Sequence, residues 1–162
     1  MCSSFAPEQK LLSTEALLAF CLQARKDSKT IAFTNGCFDI LHRGHLEYLL
    51  KASQLADCLI IGLNSDASVS RLKGPERPLN KENDRAFALA CLNFSDAIVV
   101  FEEDTPLHLI ETIKPDVLIK GGDYVIENIV GAKETLSRGG KVKIIAFREG
   151  YSTTGIIKKI KG

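Results

Sequence analysis

Two histidines, His42 and His45, bracket Gly44 in the stretch Thr34-Asn35-Gly36-Cys37-Phe38-Asp39-Ile40-Leu41-His42-Arg43-Gly44-His45. A helical apolar pattern of Leu46, Leu49, Leu50 and Ala56 follows at once, so both imidazoles fall at a helix start. Such a start offers unpaired N–H groups and a partial positive charge. Gly44 has no side chain, so phosphate oxygens can approach the backbone between two rings that donate hydrogen bonds or carry charge. Gly36 likewise lets backbone come close to a ligand. The chemistry that suits this set is binding and transfer of polyphosphate. Neither GxGxxG nor GxxxxGK[ST] occurs in the chain, which disfavours a dehydrogenase or a P-loop enzyme.

Other stretches carry reactive types in suggestive places. Lys73 opens a Gly-Pro-rich, mobile-looking segment, Lys73 to Pro78, from which it can swing over a triphosphate or stay a solvated lysine. Arg77 shares that segment. Arg85 falls in a helical pattern after Asn80, where it pairs with Glu82 or another carboxylate or else reaches substrate. Ser152-Thr153-Thr154 opens the last helix and makes a second anion cradle or an ordinary cap, with Arg148 just before it. In Lys120-Gly121-Gly122-Asp123-Tyr124 the glycines allow close approach, and Lys120 and Asp123 are expected to project into a crevice. Asn64 and Asp66 follow a strand and serve substrate or cap the next helix. Cys37 reads as a small residue packed under a loop rather than a nucleophile.

These residues need a frame that brings distant loops together. Short Ile- and Val-rich strands are expected at Ile31 to Phe33, Cys58 to Leu63, Ala97 to Phe101, Val117 to Ile119 and Val142 to Phe147. Helical patterns lie between them: Gly44 to Ala56, Asn80 through Leu92, a third from Thr105-Pro106 to before Pro115, and a weaker one from Glu127 to Arg138. A helix from Thr14 to Lys26, capped by Ser13, precedes the sheet with Leu17, Leu18, Cys21 and Leu22 as its apolar stripe. A short one from Ser152 to Lys161 ends the chain. Strands alternating with helices imply right-handed crossovers and an α/β fold with a doubly wound, mainly five-stranded parallel sheet. Ligands of such sheets bind at the carboxyl ends of the strands, so the loops after Phe33, Leu63, Ile119 and Phe147 should hold the site.

The 162 residues suit one domain, here a helical extension at 1–28 and a core at 29–161. Net charge is only +1, which supplies no basic field for nucleic acid or anionic membrane and points to a small-molecule partner. No run of eighteen apolar residues occurs, and Met1 to Lys10 lacks signal-peptide order, so a cytoplasmic protein is expected. The five cysteines, Cys2, Cys21, Cys37, Cys58 and Cys91, show neither a CxxC pair nor zinc spacing, so disulfides and a structural metal are not expected.

The run Asn35-Gly36-Cys37-Phe38-Asp39 followed by His42-Arg43-Gly44-His45 resembles the signature of the cytidylyltransferase-like superfamily of nucleotidyltransferases. Asn64-Ser65-Asp66, Arg71-Leu72-Lys73-Gly74, Asp84-Arg85, Phe101 to Pro106, Lys120 to Tyr124 and Gly150-Tyr151-Ser152-Thr153-Thr154 extend the likeness from about Lys29 to Lys161. Together they resemble one branch, the D-glycero-β-D-manno-heptose 1-phosphate adenylyltransferases, in a form without the sugar kinase often fused ahead of it. The resemblance implies a Rossmann-like HxGH fold and transfer of AMP from ATP to a sugar 1-phosphate, with Mg²⁺ carried on the ATP phosphates and a homodimeric assembly. It implies catalytic roles for His42, His45 and Lys73. Nucleotide contacts would come from Asn35, Gly36, Cys37, Phe38, Gly44, Arg148, Gly150, Ser152, Thr153 and Thr154. Substrate contacts would come from Lys120, Gly121, Asp123, Asn64, Asp66 and Arg85. The rivals are a cytidylyltransferase acting on glycerol 3-phosphate or another polyol phosphate, and a nucleotide-binding protein without turnover.

Overall fold

The computed structural model describes residues 6–162; Cys2 and the first residues of the Met1 to Lys10 segment lie outside them. After a short 3₁₀ turn at Pro7–Lys10, helix α1 (Thr14–Lys26) leads into strand β1 (Ile31–Gly36) and helix α2 (Arg43–Ser53). Strand β2 (Cys58–Asn64) is followed by two helices, α3 (Asp66–Lys73) and α4 (Glu82–Ala90), and then by β3 (Ala97–Phe101). The rest runs α5 (Leu107–Ile113), β4 (Val117–Gly121), α6 (Ala132–Ser137), β5 (Lys141–Ile145) and α7 (Thr153–Lys161), with a second 3₁₀ turn at Ile126–Asn128.

The five strands are parallel and ordered β3-β2-β1-β4-β5. The order reverses between β1 and β4, so their carboxyl ends diverge and open a crevice. Every residue of β2 is buried, as a strand covered on both faces requires. One face packs Phe33 and Ile60 against Leu17 and Cys21 of α1 and Leu109, Ile110 and Ile113 of α5. The other packs Leu59, Ile61 and Leu63 against Tyr48 and Leu49 of α2 and Ala86 and Leu89 of α4. Burial of these side chains, roughly 1.5–3 kcal/mol each, is what fixes the helices on the sheet.

Local signals explain most boundaries. Ser13 accepts from the Ala16 N–H and starts α1 where expected. Lys114 ends α5 in the left-handed region (φ 51°), because the following Pro115 disfavours a further helical residue. Other features depart from the sequence expectation. Leu18 and Leu22 do not join the buried stripe of α1: they are exposed, and Ala24 completes the stripe with Leu17 and Cys21. Strands β1 and β4 run two or three residues further than expected, because parallel pairing with β2 and β5 continues to Gly36 and Gly121. β5 stops at Ile145, which leaves Phe147 in a loop. The weak pattern from Glu127 splits into a 3₁₀ turn and α6, divided at Gly131 with φ 82°. Thr105 does not cap α5; Pro106 holds the cap position with no side-chain bond.

Candidate active site

The carboxyl ends of β1 and β4 and the starts of α2 and α7 enclose a crevice of about 640 Å³. His42 is the N-cap of α2: its Nδ1 accepts the His45 N–H at 3.3 Å. Nδ1 is thereby the acceptor, which leaves Nε2 as the donor of a neutral ring. The two imidazoles stack, with centroids 3.8 Å apart and planes 15° from parallel, and the Phe38 ring meets His45 edge-on at 5.3 Å. Burial first, and then the neighbouring His42, push the His45 pKa down to about 4, against an opposing effect of the Ile40 carbonyl. Burial also lowers His42. Both rings are therefore neutral hydrogen-bonding groups in the free protein, and His45 Nδ1 is buried without a partner.

A Cβ on Gly44 would lie 3.0 Å from the Tyr151 Cβ and 3.1 Å from the His42 ring. The start of α2 thus faces the segment that opens α7. There Ser152 caps α7, its Oγ accepting from the Gly155 N–H at 3.0 Å, and Thr153 and Thr154 line the same crevice. Two helix N-termini with their unpaired N–H groups converge on one space, an arrangement suited to a polyanion.

The turn after β1 is held by buried polar groups. Phe38 adopts φ 44°, a left-handed conformation that costs of order 1 kcal/mol in a non-glycine residue. Asp39, buried beside it, accepts from the Leu79 and Asn80 N–H groups at 2.8 and 2.9 Å and from Arg77 Nε at 2.6 Å. Burial alone would raise its pKa, yet those donors and the Arg77 charge hold the carboxyl below its ordinary value. Arg85 donates to the carbonyls of Cys37 (2.6 Å), Asn64 (2.8 Å) and Asn80 (3.0 Å) and to Asp66 Oδ1 (2.9 Å). It is fully buried and ties three loops together beneath the crevice, so the sequence-expected substrate contact is not where this side chain points. Its carboxylate partner is Asp66, which accordingly does not line the crevice either.

Of the remaining expected residues, Asn35, Gly36, Cys37, Phe38, Asn64, Lys73, Lys120 and Gly121 all line the crevice beside the histidines. Asn64 is mostly buried, with Nδ2 donating to Ser68 Oγ. Lys120 Nζ donates to Asn35 Oδ1 at 3.2 Å and stands 5.8 Å from the Tyr124 ring centroid; burial lowers its pKa, and it has no carboxylate partner among the described residues. Lys73 is the last residue of α3 and not part of a free loop: the Gly74–Pro78 segment is tied back by the Arg77 N–H to Gly74 and by Ser70 Oγ to the Arg77 carbonyl. Asp123, Arg148 and Gly150 line an adjoining cleft instead, where Arg148 pairs with Glu47 at 2.9 Å. Sequence reasoning missed Asp39 as a fastener and the apolar wall of Tyr124, Ile129, Val130, Phe147 and Tyr151. No motif marks that wall; the one available signal was the placement of Tyr124, Phe147 and Tyr151 beside loops already expected at the site.

A doubly wound sheet with a histidine-capped helix at its switch point defines a nucleotidyltransferase fold. The chain belongs to the cytidylyltransferase-like family, whose model matches residues 33–159. It is 52% identical over 153 residues to the bifunctional protein HldE of Syntrophotalea carbinolica, covering 94% of this chain and 31% of that protein. It is 54% identical over 154 residues to HldE of Campylobacter concisus, covering 95% of this chain and again 31% of the relative. The chain thus spans about a third of the length of these relatives. Among solved structures, the lipopolysaccharide core biosynthesis protein from Thermoplasma volcanium matches with TM-score 0.60 and 28% identity, covering 76% of this chain and 99% of that one. Pantoate-beta-alanine ligase from Francisella tularensis shares the fold, with TM-score 0.61 at 14% identity, covering 93% and 76% of the two chains. Among the described residues no helix is long and apolar enough to cross a membrane.

Proposed function

We propose that this domain transfers AMP from MgATP to D-glycero-β-D-manno-heptose 1-phosphate, giving ADP-heptose and pyrophosphate. The observation that carries the reading is the convergence of the α2 and α7 N-termini on one crevice, with the stacked His42 and His45 between them. The choice of acceptor rests on the motif likeness running from Asn35 to Thr154, and on the similarity to a lipopolysaccharide core biosynthesis protein.

In this reading a phosphate oxygen of the sugar attacks the α-phosphorus in line, a new P–O bond forms, and the bond to the β-phosphate breaks as pyrophosphate departs. No covalent enzyme intermediate is required. The protein positions the two phosphates and offsets developing charge through the two imidazoles, Lys73, Lys120 and the helix N–H groups. Mg²⁺ arrives as part of the nucleotide. Among the described residues no three His, Cys, Asp or Glu side chains gather as a cage, so its ligands in this account are phosphate oxygens and water.

The test is replacement of the histidines. His42→Ala and His45→Ala proteins that remain folded should each lose about a hundredfold or more in turnover, the scale of one preorganised donor in the transition state. Wild-type turnover in both would overturn the mechanism. The same proposal places the protein in the cytoplasm as a homodimer whose product feeds lipopolysaccharide inner-core assembly; sedimentation of the purified protein tests the assembly. A second reading, CTP with glycerol 3-phosphate, draws on the family description itself and is separated by nucleotide choice.

A further inference from the structure

The crevice contains two distinct groups of anion-binding side chains. One lies between the helix N-termini already described. The other consists of Arg77, Lys120 and Lys73, which line the crevice together with Cys37, a half-buried residue of the β1 turn. Two of the three are tied to the same turn on either side of Cys37: Lys120 Nζ donates to Asn35 Oδ1 at 3.2 Å, and Arg77 Nε donates to Asp39 Oδ2 at 2.6 Å. Arg77 is the organised member. Its side chain is 16% exposed, Nε is committed to Asp39 at 2.6 Å, and its own backbone is fastened at Gly74 and Ser70. Neither Nη group has a partner within the protein among the described residues, and neither is a buried orphan, so that half of the guanidinium is open to a ligand in the crevice that Arg77 lines. A planar fork with one edge locked by a carboxylate and the other free is preorganised for a bidentate phosphate. Lys120, a half-buried cation with only neutral contacts, supplies the second charge.

We propose that Arg77, held by Asp39, and Lys120 form the subsite for the phosphomonoester of the acceptor, above the Cys37 thiol and apart from the triphosphate cradle of α2 and α7. This rests on the nucleotidyl-transfer reading for the word acceptor, but the anion subsite itself can be probed without any turnover.

The probe is inorganic phosphate. The intact protein is alkylated with iodoacetamide with and without excess phosphate, and the rates at Cys37 and at the exposed Cys91 are read by peptide mass spectrometry. Phosphate should slow Cys37 at least fivefold and leave Cys91 unchanged, and Arg77→Gln and Lys120→Met should abolish the protection. Arg77→Lys keeps the charge and removes the fork; it should raise the KM for the sugar phosphate about tenfold while the KM for ATP stays within twofold. Unprotected Cys37 in the wild type, protection that survives Arg77→Gln, or a rise confined to the KM for ATP would each overturn the proposal. Protection without pyrophosphate release would leave the subsite standing and remove the transferase reading; release without protection would do the reverse.

Discussion

His45 donates its backbone N–H to the Nδ1 of His42 while the two rings stack 3.8 Å apart, so one residue's main chain fixes the tautomer of the other's side chain. Burial lowers the pKa of both rings, and two imidazolium ions at that separation would repel, so the pair does not carry two charges.

A neutral histidine in the fold has a sign for stability. Folded His45 titrates at about 4 and an unfolded histidine near 6.5, so between those values only the unfolded state takes up the proton. Stability therefore falls as pH drops through that window, by about 2 kcal/mol between pH 7 and 5. Urea titrations at the two pH values should show this loss in the wild type and a markedly smaller one in His45→Gln. Equal losses would contradict the assignment.

Asp39 and Arg77 form a buried pair with side chains 1% and 16% exposed. Breaking such a pair leaves a charge without its partner, so Asp39→Ala should cost about 3 kcal/mol in urea unfolding. A change below about 0.5 kcal/mol would show that the β1 turn is held by something else.

Gly44 separates the two anion cradles by almost nothing. A methyl group there meets Tyr151 and the His42 ring at 3.0 and 3.1 Å, so in Gly44→Ala both must give by a few tenths of an ångström. Alanine otherwise suits a helix better than glycine by about 1 kcal/mol, which offsets the crowding. The expected result is near-unchanged stability with turnover down tenfold or more, checked by a thermal melt and a pyrophosphate assay on the same sample.

Lys120 presents the opposite balance of stability and function. It is a half-buried cation whose pKa is lowered by burial and which has no carboxylate beside it. Lys120→Met should stabilise the free protein by about 1 kcal/mol while costing at least a hundredfold in activity. Loss of both stability and activity would instead make Lys120 a structural residue.

Much of the frame was legible because strong periodicity and caps coincided. The Thr14–Lys26 helix and the Ala97–Phe101 strand match their expected bounds, and the loop bearing His42 and His45 fell at the switch point because glycine and a helix start mark it. Helix α3 is foreshadowed only by the caps expected at Asn64 and Asp66, and its extent to Lys73 is not legible, since Asp66 to Lys73 buries only Ser68 and Val69 and shows no apolar stripe. Consequently Lys73 was placed on a mobile loop. Arg85 was unreadable for another reason: its four acceptors come from positions 37, 64, 66 and 80, and no local pattern shows that they meet. Leu18 and Leu22 fit the helical period but stay exposed outside the core that Leu17, Cys21 and Ala24 join, a choice made by tertiary packing that the period alone does not show.

The most direct test is a pyrophosphate-release panel: the purified protein with Mg²⁺, each of the four NTPs in turn, and either D-glycero-β-D-manno-heptose 1-phosphate or glycerol 3-phosphate. Release with ATP and the heptose phosphate alone is the predicted result. Release with CTP and glycerol phosphate would contradict the heptose assignment, and no release in any combination would leave a nucleotide-binding protein without turnover.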